Sequence, residues 1–548
     1  MGMMRCSTMN NRFINTISGA ILAGTLLIAG CDFDAAQDAF EQFDVIIALE
    51  EINTNVSVRF VDAQTDEFLN EQVSMRFLGN NGADVIDIYS DPISELDVVG
   101  GIGGFGIKNA LVPSESNPIE VRVVGQAQGF ETGSSTVTIS NTGLTETTVF
   151  MVRQNQTVQG GASANAVGQA SGGTVQQAVQ LSTASGDATN QAAAAVSVPV
   201  GTVATTSAGQ AASGALQTSI AFYTAPTTQT SQAFPGGYSG GVQQSSGVVT
   251  QAPITTAGFM TVTVTDGSGN EVTSFSPPIE LSIDVPGTTL NPSTGQVIKN
   301  GEAISIMSYD DDGGIWKDEG SAAVAGPDGN GNFRATFMTN HLSTWSAGYA
   351  GTACPVVVNV ARNGNIGALN MTAEALDAAG GIMWSGSRSM PSGSSSDTID
   401  DFPASAASIS VSVDGTNTVV ASPCNNTVNV SLPAPAASVI DVTFALDFGP
   451  TCTALRTTTI SSYTINYRKE GQSALQSGSV IVTNDNLTHD DLGRITGGSV
   501  TIPGLEQGAT YIFSSSFDGQ VETRNEVITG PSITLDVSDD LDGDLCVE

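Results

Sequence analysis

Val56, Val58 and Phe60 fall on one side of an extended chain and Ser57 and Arg59 on the other, the period-two pattern of a half-buried strand. A polar turn, Asp62-Ala63-Gln64-Thr65-Asp66, ends it, and the pattern resumes at Val73-Ser74-Met75-Arg76-Phe77 ahead of Gly79-Asn80-Asn81-Gly82. Comparable runs follow near residues 119–124, 135–139 and 147–152, then at 196–200, 216–223, 260–264, 278–285 and 303–308. They continue at 356–360, 407–413 and 427–432, and again at 463–468 and 500–502. Short alternating strands punctuated by turn residues predict sandwiches. The expected fold is all-β, a string of three to four β-sandwich domains over residues 53–153, 195–350, 351–442 and 443–548. Residues 154–194, rich in Gly, Ala, Gln and Ser without a strong period, are expected as a low-complexity linker.

The start of the chain breaks the pattern. Arg5 and Arg12 precede an apolar run from Ile14 to Gly30, the layout of a secretory signal. Its end, Leu27-Ile28-Ala29-Gly30-Cys31, resembles the lipobox of bacterial lipoproteins. The resemblance implies removal of a 1–30 signal peptide, acylation of Cys31, and attachment to a membrane through the N-terminal acyl chains, with 31–52 as an acidic tether. The address implied is the bacterial cell envelope. The outer membrane is favoured, while Asp32, which resembles the retention signal of enteric lipoproteins, leaves the inner membrane open. No other stretch reaches 18 apolar residues.

Charge narrows the partners. Among 548 residues, 54 acids face 17 Lys and Arg, a net charge of -37, and loss of the leader's two arginines takes this to -39. Such a surface repels phosphate backbones, so no nucleic-acid partner is expected. Two histidines exclude His-rich metal centres, and no cofactor is expected. The charge is also uneven: from Gln154 to Thr265 a single charged residue, Asp187, occurs in 112 positions. A neutral stalk and an adhesive face both fit that composition.

Candidate chemistry is sparse. With Cys6 in the leader and Cys31 acylated, Cys354, Cys424, Cys452 and Cys546 remain, enough for two disulfides in three connectivities. Domain boundaries favour Cys354–Cys424 and Cys452–Cys546. Gly237-Tyr238-Ser239-Gly240-Gly241 fits a nucleophile elbow in letters only, because its flanks are loop chemistry and not strand and helix. Asp310, Asp311 and Asp312, with Asp540, Asp542 and Asp544, offer oxygen ligands for Ca²⁺ without completing an EF-hand; solvated acidic turns are the competing reading.

Three further resemblances place these residues. The strand and turn order over 53–153, including Asp62-x-x-Thr65 and Gly79-Asn80-Asn81-Gly82, resembles the transthyretin-like, carboxypeptidase-regulatory domain, which implies an accessory or binding sandwich without catalysis. Ser308-Tyr309-Asp310, Gly314-Ile315-Trp316 and His341-Leu342-Ser343-Thr344-Trp345 resemble the end of the GPS region of adhesion receptors and ZU5-type domains. That resemblance implies self-cleavage between Leu342 and Ser343, with Ser343 attacking and His341 as base. The receptor's disulfide cysteines are absent, and the alternative is that His341 and Trp345 simply close a sandwich. Tyr463–Arg468 and Val500–Tyr511 resemble fibronectin type III, which makes Tyr511 a structural corner tyrosine. The function implied is that of a lipid-anchored, non-enzymatic surface or periplasmic protein in adhesion, binding or envelope scaffolding, with a protein or glycan as ligand. The alternative is a self-cleaving surface protein.

Overall fold

The computed structural model describes residues 51–548 apart from Ile88, Ser239, 184–191, 225–227, 362–368, 391–395, 434–437, 448–453, 456–462, 518–519, 537–545 and 548. The leader, Cys31, Cys452, Asp540, Asp542 and Asp544 lie outside the described residues. Four β modules share one compact unit, Ala48–Glu548. The only α-helix among the described residues is the short Thr228–Gln232.

The first module pairs two four-stranded sheets. One runs in the order Val85–Ile86, Ile102–Ile107, Thr54–Asp62, Gly143–Met151; the other runs Glu95–Val98, Val73–Leu78, Ile119–Ala127, Gly133–Ile139. Val56, Val58, Phe60, Met75, Phe77 and Val123 fill the space between them. Thr54–Asp62 is buried along its whole length, on both faces. The alternating pattern anticipates burial of the Val56 face alone. Its other face, Ser57 and Arg59, lies against the fourth module.

In the second module a 14-stranded sheet spans Gly161–Ser171 to Thr344–Ala350. Its pairings form a circuit, because the long strand Val272–Pro286 changes partners along its length. Its first half pairs with Val203–Thr206 and its second half with Asn332–His341, which passes on to Ile315–Ala325. Leu216, Ile220, Val262, Leu281, Ile283 and Trp345 form the core inside. Here the linker expectation fails. Gly161–Ser171, Thr174–Gln177 and Val179–Ser182 are strands of this sheet, and Gly161–Ser171 pairs with Gly214–Tyr223 over ten consecutive residues. Small Ala, Gly and Ser side chains mute the alternation, yet Ala170, Val175 and Val179 point inward.

The third module packs Ser396–Pro403, Ala353–Ala361 and Thr427–Ser431 against a four-stranded sheet, Ile382–Met390, Leu369–Leu376, Ser408–Val413, Thr416–Ala421. Cys354 and Cys424 are joined by a disulfide, with Cα atoms 5.4 Å apart. One buried apolar cluster runs from Tyr223, Phe234 and Trp316 into Trp384 and Phe402, so the second and third modules share a core.

The fourth module has sheets Leu487–His489, Ile495–Glu506, Val439–Asp447, Ser532–Asp536 and Gly478–Val482, Tyr463–Lys469, Thr510–Phe517, Gln520–Val527. The Tyr511 hydroxyl accepts from the Glu506 N–H at 3.1 Å, the bond a corner tyrosine makes. Cys546 pairs in backbone with Leu455. In the first, third and fourth modules the opening strand lies parallel to a closing one: Thr54–Asp62 with Gly143–Met151, Ala353–Ala361 with Thr427–Ser431, and Val439–Asp447 with Ser532–Asp536.

The fourth module docks on the first. Arg59, 2% exposed, donates from Nη1 to the Ser477 carbonyl at 2.8 Å and to the Ser477 hydroxyl oxygen at 3.0 Å. Ser57 Oγ donates to Asn466 Oδ1 at 3.2 Å, and Arg468 pairs with Glu67 at 2.7 Å.

Candidate functional site

The segments singled out for chemistry converge on the seam between the first and second modules. Ala303–Asp310 and Ile315–Ala325 form a hairpin whose turn, Asp311–Gly314, reaches the first module. Arg122 donates to the Gly313 carbonyl at 3.0 Å and Ser134 Oγ to the Gly314 carbonyl at 3.0 Å, while the Tyr309 hydroxyl donates to Ser134 Oγ at 2.7 Å. Gly314 has φ of +60°, and a Cβ there would lie 2.5 Å from Val124 Cγ2, so conformation and space both require glycine.

This turn carries the first set of proposed calcium ligands, and each carboxylate has a different surrounding. Burial works to raise the Asp310 pKa, but Lys317 at 2.8 Å and the N–H groups of Gly313 and Asp312 outweigh it and hold the carboxyl below its usual range. Asp312 is 3.9 Å from Arg76. Asp311 is pushed up to about 7, first by the protein crowding out its water and then by Glu271, Asp310 and Asp312, against a hydrogen bond from Thr132. Across the seam, Glu131 is also pushed up to about 7, by burial and then by Asp311 and Glu271. Among the described residues no group of three or more His, Cys, Asp or Glu side chains is arranged to hold a metal ion.

His341 ends the strand Asn332–His341, and Ser343 lies in the bend just before Thr344–Ala350. The Ser343 hydroxyl donates to the Tyr309 carbonyl and accepts from the Tyr309 N–H at 3.1 Å, so it stitches the neighbouring strand. The His341 ring packs on Trp345 at 4.9 Å between centroids and lies 3.9 Å from Glu319, with Thr339 and Asn340 beside Nδ1. The two side chains therefore have separate partners, and no hydrogen bond joins them among the described residues. Trp316 is fully buried, stacks on Phe234 at 4.6 Å and donates to the Pro235 carbonyl at 2.9 Å. Gly236 and Gly237, just after Pro235, both have positive φ.

Beside the seam is a feature the motifs do not mark. A narrow cleft, open to solvent, lies between the first module and the outer face of the large sheet. Its floor is set by register. Asn165, Ser219 and Thr263 stand in one cross-strand row, and Ser163, Ala221, Thr261 and Thr344 in the next. The Thr261 and Thr344 hydroxyls are 2.8 Å apart, and Ser219 Oγ donates to Asn155 Oδ1 at 2.7 Å. Phe150, Arg153 and Glu131 form the facing wall. Arg153 is neutralised by Asp62 at 2.7 Å and Glu71 at 3.4 Å. Most of this floor comes from the run between Gln154 and Thr265, in which Asp187 is the single charged residue.

No family model matches the chain, and no curated protein matches it in sequence. Solved structures with some similarity include a streptococcal ancillary pilin (11% identity, 45% of this chain and 96% of that one, TM-score 0.15) and the full-length RrgB pilus protein of Streptococcus pneumoniae (7%, 88% and 98%, TM-score 0.14). The first three fibronectin domains of chicken CNTN1 align at 12% identity over 46% of this chain and 94% of that one, with a TM-score of 0.10. At these identities and TM-scores the neighbours carry no functional argument.

Proposed function

We propose that the chain is a lipid-anchored, non-enzymatic envelope protein whose docked β-sandwich modules act in adhesion, binding or scaffolding. The observation that carries this reading is the seam, where the side chains of the candidate chemistry serve packing. The Asp310–Gly314 turn plugs into the first module, Ser343 bridges Tyr309, and Trp316 closes a buried aromatic cluster. Such commitment suits a rigid display platform better than a site that must release a bond. The lipobox-like Leu27–Cys31 supports the anchor.

Protease shaving of intact cells, read by mass spectrometry, tests the surface reading. Peptides from exposed loops such as 244–248 should be released from whole cells. Their recovery only after the outer membrane is opened would place the protein in the periplasm and remove the adhesion reading.

A further inference from the structure

We infer that the open edge of the strand Gly161–Ser171 is a self-association surface, on which the same edge of a second copy of this chain pairs antiparallel about a two-fold axis at Asn165. The pairing is independent of any ligand the modules bind.

The edge is open for a reason in the fold. On one side Gly161–Ser171 pairs with Gly214–Tyr223 from Gly161 to Ala170. On the other, Thr174–Gln177 pairs only with Gln169, Ala170 and Ser171. A bulge between Val175 and Gln177 then turns that chain away, and it continues as Val179–Ser182 against Ala194–Val198. Residues 162–168 are left with one neighbouring strand among the described residues. Alternation fixes which groups face out. Ser171 and Thr174 close a two-residue turn through Gly172 and Gly173, both with positive φ, so they form a hydrogen-bonded pair directed away from Gly214–Tyr223. Backbone direction reverses at each residue, so the N–H and C=O of Ser163, Asn165 and Val167 point the same way, into the open side. The Gly161 N–H agrees, since it bonds the Val158 carbonyl and not the neighbouring strand. Ser163, Asn165 and Val167 are exposed, Val167 at 56%.

Exposed edges ordinarily carry a charge, a proline or a bulge that turns a second strand away. Ala162-Ser163-Ala164-Asn165-Ala166-Val167-Gly168 has none of these. Elsewhere in the molecule the edges Glu95–Val98 and Ser396–Pro403 are guarded, the first by Glu95 and Asp97, the second by Asp400, Asp401 and Pro403. Thr416–Ala421 is an uncharged edge as well, but it is shorter and Asp414 stands in its turn.

Charge selects a second copy as the occupant. At -37 overall, two copies repel over most of their surfaces. This edge lies in the run Gln154–Thr265, where Asp187 is the single charged residue, so here two copies approach with least repulsion. Shape selects in the same direction. A foreign strand on a sheet edge is recognised through pockets for alternate side chains, and Ala162, Ala164, Ala166 and Gly168 build no pocket. Small residues are matched by small residues. About an axis at Asn165, Ser163 faces Val167 of the second copy in a hydrogen-bonded pair, Asn165 faces its own equivalent, and Ala164 faces Ala166 between them. The two amides at the axis each donate and accept, so they can bond one another. A paired edge buries less than a standard interface, which makes the dimer weak and concentration-dependent.

The full mature chain, in an excess of detergent micelles, is followed by sedimentation velocity over a concentration series. A reversible dimer that strengthens with salt is expected. Asn165→Pro removes an N–H that no strand within the chain uses, so it should leave thermal melting unchanged and weaken the dimer at least tenfold. Asn165→Lys and Asn165→Glu each set like charges against one another across the axis. Each alone should be monomeric in low salt, and an equimolar mixture should recover the dimer, which decides the matter even where the proline variant melts early. Asn165→Cys should give a reducible cross-link between copies, because facing Cα atoms about 5.5 Å apart lie within disulfide range. Val419→Cys, on the exposed edge Thr416–Ala421, should not. A chain that stays monomeric throughout, or a dimer that the proline and charge variants leave unaltered, would overturn the inference. A cross-link from position 165 to a different protein, without a dimer of this chain, would overturn the second copy as the occupant.

Discussion

Arg59 shows how a residue's role changes when a second surface arrives. Alone, the strand pattern assigns it to solvent; in the structure it is sealed beneath the fourth module, with Nη1 on Ser477 and Nε without a partner among the described residues. Removing it strands the Ser477 carbonyl and opens a void, so Arg59→Ala should cost about 2–4 kcal/mol and loosen the first–fourth contact. Hydrogen exchange should then show lost protection at Gly478–Val482 with little change in the third module; uniform protection would refute that role. Ser343 is the opposite case, a residue whose letters suggested reactivity and whose hydroxyl is spent on Tyr309. Purified mature protein should run as one full-length band on a denaturing gel, and Ser343→Ala should cost about 1 kcal/mol in urea unfolding. Two fragments meeting at Ser343 would reinstate the self-cleavage reading.

At the scale of elements, strands with large β-branched and aromatic residues were legible and strands made of small residues were not. Val56-Ser57-Val58 announces itself, whereas Ala162-Ser163-Ala164-Asn165-Ala166 buries too little per residue to stand out, and its place is fixed by pairing with Gly214–Tyr223. The cleft was invisible for the same reason, since its floor needs four strands in register. The Asp310–Gly314 turn was found as a motif, but its docking depends on Arg122 and Ser134, far away in sequence. Gly314→Ala should therefore act as a wedge, costing about 1–3 kcal/mol through strained φ and the clash with Val124, and limited proteolysis should open the turn first. In the third module, the Cys354–Cys424 bridge closes a separation of 70 residues, worth about 4 kcal/mol in the chain-entropy model. Reduction should lower the melting temperature, and non-reducing peptide mapping should recover that pair; free thiols at both positions would contradict it.

On the scale of the whole molecule, the modules are packed on one another, the fourth against the first and the second sharing a core with the third. This could not be read from patterns, because the contacts join residues of different modules, Arg59 and Ser477 being 418 positions apart. The seam gives a pH dependence. Glu131 and Asp311 hold their protons more tightly folded than unfolded, with folded values near 7 against ordinary values of 4.5 and 3.8. The folded state therefore binds more protons between about pH 4 and 7, and stability should fall as pH rises through that window and level off above it. Because general relief of negative charge gives the same sign, the check is differential: Glu131→Gln should flatten the slope of melting temperature against pH, and an unchanged slope would show that the seam does not contribute. Anchoring is tested by Cys31→Ser, which should leave uncut precursor or release the protein from membranes.

The parallel pairing of opening and closing strands has a mechanical consequence. A pull along the chain leaves the first module through the N-terminal end of Thr54–Asp62 and the C-terminal end of Gly143–Met151, so the two strands are dragged past each other lengthwise. Their hydrogen bonds, nine residue pairs from Thr54↔Gly143 to Asp62↔Met151, then resist together, where an antiparallel hairpin pulled from its open end would unzip one bond at a time. Ala353–Ala361 with Thr427–Ser431, and Val439–Asp447 with Ser532–Asp536, repeat the arrangement. Tension along the chain would thus meet its resistance in shear in the first, third and fourth modules, which would yield at high force and over short extension.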